Sequence, residues 1–148
     1  MIRIEMKNDT VAVGERVAGQ VVWSSQGGKQ PRKIEVFCRW RLDGKRKAET
    51  LVDSATEEQI ESRSQVVLPF DFEVRFVDPV SYDGKLFRII WEIVATADLP
   101  FAKDEVETKV ITVTPAAWTA EEYRQWHEED LDDEDEEEEE DDGGPSVP

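Results

Sequence analysis

The sequence holds one imidazole, His127, and one thiol, Cys38. A Ser-His-Asp or Cys-His arrangement needs the imidazole held rigidly against a nucleophile. His127 lies beside an acidic run, outside every stretch patterned as regular structure. Cys38 shares its parity with Val36 and Trp40, so it reads as a core thiol. No Cys/His cluster offers a zinc site. Gly27-Gly28 lacks the residues that surround a phosphate-cradling loop. Neighbouring carboxylates abound, but an acidic chain supplies those by chance. The expectation is a protein without catalytic residues, metal or cofactor.

Two other groups of residues could bind rather than react. Lys33, Arg39 and Arg41 alternate with Trp40 on one strand-like parity, and Lys45, Arg46 and Lys47 follow closely. Folding back at Asp43-Gly44 would bring several of these cations within about 10 Å, near one Debye length at 0.1 M salt. Two readings stay open: a solvated strand face neutralised by neighbouring acids, or an anion-binding patch. Such a patch would take an acidic or phosphorylated peptide, a lipid headgroup or the protein's own acidic tail. Nucleic acid is not expected, because a chain of net charge −17 repels phosphate at long range. The second group is Trp118, Tyr123 and Trp126. Thr119 and Glu122 have capping-box spacing, Trp118 and Tyr123 can staple the helix start, and Tyr123 and Trp126 share a helical face. A helix of about ten residues is marginal alone. It would dock on the protein's own body or present aromatic anchors to a partner.

The charge is divided unevenly. Residues 121–148 hold sixteen acids and one base, Arg124, whereas residues 1–120 hold nineteen acids and seventeen bases. Asp130 to Asp142 is acidic at every position but Leu131. Like-charge repulsion without apolar groups predicts disorder there, over residues 131–148. The tail could act as a spacer, bind basic surfaces, or mask the domain's own cations; it fixes no geometry for calcium.

The elements that must position these residues read as strands. Apolar side chains alternate with polar ones at Ile2, Ile4 and Met6, and at Val17, Gly19, Val21 and Trp23. The pattern is clearest at Ile34, Val36, Cys38, Trp40 and Leu42, and recurs at Phe70, Phe72, Val74 and Phe76. Asp43-Gly44 is a strong hairpin signal, with a return run over residues 45–53. Residues 54–65 are ambiguous between a short helix from Thr56 and a continued hairpin. Residues 86–97 are apolar on both parities, as in a central strand covered on both faces at least at one end. Val106 to Val113 reads as the last strand. About eight short strands without a convincing helix between them predict an all-β, antiparallel, immunoglobulin-like sandwich over residues 1–114. A junction with a short amphipathic helix follows at 115–130.

Three stretches carry a resemblance. Val13-Gly14-Glu15-Arg16-Val17-Ala18-Gly19-Gln20-Val21 comes first and Leu68-Pro69-Phe70-Asp71-Phe72 second. The third is Asp78-Pro79-Val80-Ser81-Tyr82-Asp83-Gly84-Lys85, followed by Ile89-Ile90-Trp91-Glu92-Ile93. In order and spacing they resemble the arrestin-like β-sandwich family. That family includes arrestin amino-terminal domains, the arrestin-fold subunit of retromer, and bacterial proteins of the sporulation-control type. The resemblance spans roughly residues 2–114 and accounts for one sandwich, where arrestins and the retromer subunit carry two. It implies a scaffold or adaptor role with no active site, and names no partner.

With no apolar stretch of about eighteen residues, no apolar leader and a single cysteine, the chain reads as cytoplasmic, without an integral membrane segment. The functional expectation is a protein-binding adaptor or regulatory module, reached by β-strand addition at an open sheet edge, with the tail adjusting binding electrostatically. Two alternatives are an acidic chaperone-like protein holding basic clients through its tail, and a structural subunit of a larger assembly.

Overall fold

The computed structural model describes residues 1–25, 30–60 and 62–115. The chain divides into two units, Met1–Ala116 and Ala117–Pro148. The expected helix with Trp118, Tyr123 and Trp126, and the acidic run, lie outside the described residues.

Among the described residues the regular structure is all strand. The strands are β1 (Ile2–Met6), β2 (Thr10–Ala12), β3 (Arg16–Ser24), β4 (Lys33–Gly44), β5 (Ala48–Glu57), β6 (Gln65–Glu73), β7 (Tyr82–Asp83), β8 (Phe87–Asp98) and β9 (Glu105–Thr114). The period-two reading is followed most closely by β6, where exposed and buried residues alternate from end to end. One sheet has the order β1-β3-β6; the other runs β2-β9-β8-β4-β5, with β7 added beside β8. Their inner faces enclose one core built on Trp23, Trp91, Ile34, Ile93, Val36 and Phe72.

Four expectations are corrected. The pairing is not wholly antiparallel, because β2 lies parallel to β9 with Thr10 opposite Thr112. Asp43-Gly44 is not the hairpin turn. Both residues extend β4 and pair with Arg88 and Phe87 of β8, and the bend falls on Lys45–Lys47. Two further ladder pairs and an Arg88–Asp43 ion pair of 2.9 Å outweigh the local turn preference. The return strand accordingly runs from Ala48 to Glu57, leaving no helix at Thr56. Phe76 lies beyond β6 and is exposed.

The two motif glycines answer to different constraints. Gly14 sits at φ 92°, and a Cβ there would lie 2.6 Å from the Phe76 ring. Gly19 lets β1 pass, since a Cβ would overlap the Glu5 carbonyl oxygen. The strand expected over residues 86–97 runs from Phe87 to Asp98, with Leu86 outside it and exposed, and is central: β8 pairs with β4 along its whole length and with β9 from Trp91 to Ala97. Trp91, Glu92, Ile93, Val94 and Ala95 are all buried.

Candidate protein-binding surface

The outward face of the larger sheet follows from strand parity. Odd residues of β4 and even residues of β8 and β9 point away from the core. The register sets them in rows. One row runs Leu51, Arg39, Glu92, Val110; the next runs Ser54, Phe37, Val94, Thr108. On the β7 side Glu49, Arg41 and Ile90 stand abreast.

Glu92 organises this face. It is 5% exposed, and its Oε1 accepts from Arg39 Nε at 3.1 Å and from Arg41 Nε at 3.0 Å. A buried carboxylate is costly unless paired, and two guanidiniums provide the pairing. The arginines are held in turn: Arg39 reaches Glu49 at 3.5 Å and lies over the Phe37 ring, while Arg41 reaches Asp43 at 3.8 Å. Three arginines (39, 41 and 88) thus face three acids (Glu92, Glu49 and Asp43), and the cluster is balanced. Leu51 and Val110, at the two ends of its row, are exposed, as is Val106 two rows away. Beside it a groove of about 620 Å³ is lined by Arg41, Arg88, Tyr82, Ile90 and Val110, among others.

The six cations singled out from sequence are only partly brought together. Arg39 and Arg41 share the outward face and are neutralised there. Lys33 begins β4, while Lys45, Arg46 and Lys47 lie beyond its other end, roughly 40 Å away along the strand direction. One continuous stripe therefore does not form. Lys45 and Arg46 instead share a hollow with Leu86 and Phe87, next to Lys85, while Lys47 lies beside Arg41 and Glu49. The segments at Gly44 and Leu86 are in contact: a Cβ on Gly44 would lie 2.8 Å from the Leu86 carbonyl oxygen and 2.9 Å from Phe87 Cβ. Tyr82 and Phe87 pack with ring centroids 4.9 Å apart.

Cys38 faces the core, fully buried. Burial, aided by Asp78 and Asp53, pushes its thiol up to about 12, so it carries no thiolate near neutral pH. Among the described residues no group of three His, Cys, Asp or Glu side chains is placed to hold a metal ion. No helix among them is long and apolar enough to cross a membrane.

In the sequence Glu92 stands only as a member of the third stretch, with no binding role attached. Its signal was a lone acid inside an apolar run, at a position where both faces of the strand are covered. Tyr82 figured only within the third stretch and Leu86 only as the start of the apolar run, neither as a binding residue.

No family model matches the chain, and no curated protein sequence matches it. Solved structures do. The sporulation control protein Spo0M of Bacillus subtilis is similar over 76% of this chain and 48% of its own, with 20% identity and a TM-score of 0.55. The match spans about half of that protein's length. At this identity the likeness speaks for fold alone, and it agrees with an all-β, arrestin-like sandwich over the described body.

Proposed function

We propose that this protein is a non-enzymatic adaptor or regulatory module of the cytoplasm that binds another protein through its sandwich, with the acidic tail adjusting binding electrostatically. The observation that carries the reading is the outward sheet face. Leu51 and Val110, 61% and 59% exposed, flank a balanced arginine cluster there. Aliphatic side chains surrounding arginines with few net charges are the composition of interface cores. Strand β5 borders this face as a ten-residue edge of the sheet, which offers main-chain pairing as well. The buried state of the single cysteine suits a reducing compartment.

The acidic run over residues 130–142 favours a second reading, in which the tail itself holds basic clients and the sandwich carries it. Affinity capture from source-cell lysate separates the two. The baits are the whole chain, a Leu51→Asp/Val110→Asp variant, and a chain ending at Ala117. Partners retained by the shortened chain and lost by the double variant support the sheet-face reading. Partners lost only with the tail would transfer the function to it.

A further inference from the structure

Basic side chains on the described body fall into two populations. Arg3, Arg16, Arg32, Arg39, Arg41, Arg75 and Arg88 all sit in ion pairs. Lys45, Arg46, Lys47 and Lys85 make none among the described residues, and neither do Lys7, Lys33, Arg63, Lys103 and Lys109; what sets the first four apart is that they lie on two touching segments at one end of the larger sheet. Of the acids two residues away in sequence, Asp43 is engaged by Arg88 at 2.9 Å and Glu49 by Arg39 at 3.5 Å, which leaves exposed Asp83, beside Lys85, as one carboxylate against four cations. Between the segments lies a hollow of about 310 Å³ lined by Leu42, Lys45, Arg46, Leu86 and Phe87. Leu86 is 86% exposed, an aliphatic side chain left in water beside unneutralised cations.

We infer that this tip is a docking site for a short acidic segment of a partner protein carrying one bulky apolar anchor. The anchor enters the hollow against Leu42, Leu86 and Phe87, and flanking carboxylates pair with Lys45, Arg46, Lys47 and Lys85. Charge complementarity selects the occupant: several uncompensated cations around an apolar floor match an anionic chain with an apolar side chain. An anionic bilayer is the poorer match. The hollow is small enough to take one side chain rather than a run of acyl chains, and a chain of net charge −17 is repelled as a whole by an extended anionic surface. A short peptide meets chiefly the field within a Debye length of the tip. The inference shares with the sheet-face reading only the premise that the sandwich binds other chains.

The test is fluorescence anisotropy with the full-length protein. Its probe is a labelled peptide of one tryptophan followed by alternating glutamate and aspartate; a second peptide has the acids replaced by serine. The acidic peptide is expected to bind, and to weaken roughly tenfold between about 0.05 and 0.3 M salt. Lys45→Glu/Arg46→Glu/Lys47→Glu and, separately, Leu86→Asp are each expected to weaken it at least tenfold. These residues lie on exposed segments, and circular dichroism and melting confirm that each variant is folded. The Leu51→Asp/Val110→Asp variant is expected to bind the peptide as wild type does. Failure of the sheet-face reading and failure of this one are thereby separable. Equal binding of the serine peptide, or binding unchanged by the tip variants, would overturn the inference. So would binding to phosphatidylserine-containing vesicles with none to the peptide, which would make the tip a lipid contact.

Discussion

Removing the carboxylate of Glu92 is the sharpest perturbation of the structure. Glu92→Ala leaves Arg39 and Arg41, whose side chains are 26% and 31% exposed, facing each other across an empty position. Breaking a fully buried ion pair costs about 3–5 kcal/mol. Both arginines keep some water and retain Glu49 and Asp43, so the loss expected here is about 2–3 kcal/mol. For a body of this size that corresponds to a fall in Tm of roughly 8–15 °C. Glu92→Gln keeps an oxygen able to accept from both guanidiniums without their charge compensation, and about half the loss is expected. The assay is urea unfolding followed by tryptophan fluorescence, with the m-value unchanged if two-state behaviour holds. A loss below about 0.5 kcal/mol for Glu92→Ala would mean that the pair is worth no more than an exposed surface bridge. The argument from burial would then be wrong.

Two more predictions follow from groups away from that face. The Glu5 carboxyl is held below the usual carboxylate range, first by the Gln20 side-chain amide at 2.7 Å and then by Arg3. A carboxylate with a depressed native pKa contributes stability that is present above its unfolded pKa and lost as pH falls through the native one. Gln20→Ala is expected to move the Glu5 midpoint upward in an NMR titration, and an unmoved midpoint would refute the assignment. Cys38, with its thiol pushed up to about 12, is expected to resist a disulfide reagent at pH 8 in native protein and to react at once in denaturant. Rapid native labelling would show that the core opens around it.

The body was legible in the sequence wherever a strand has one face in the core. Val66, Leu68, Phe70 and Phe72 alternate with exposed residues, so the period of two could be read directly. The central strand gave itself away through apolar residues on both parities. The Asp43-Gly44 misreading has a different cause. A turn preference is local, whereas pairing with β8 is decided by residues more than forty positions away. The parallel β2 escaped notice because three residues, Thr10–Ala12, are too few to show a period. The candidate sites were less legible. Sequence parity put Arg39 and Arg41 on the outward face but could not pair them with Glu92, which needs the β4–β8 register. The meeting of Lys45 and Arg46 with Leu86 depends on the same register, so the cluster at the tip could not be assembled from the chain alone.

The parallel pairing of β2 with β9 bears on how this protein is made. Thr10, Val11 and Ala12 find their partners at Thr112, Val113 and Thr114. On a ribosome, the third residue of the chain's second strand cannot pair until more than a hundred further residues have been added. The sandwich can thus be completed only after nearly all its sequence is synthesised. Loop closure over such a span precedes any reward from the contact, which places the body among slow, non-locally wired folders. A nascent chain halted within β9 would leave Val11 and Val13 without the strand that covers them, and would present those residues to chaperones until synthesis resumed.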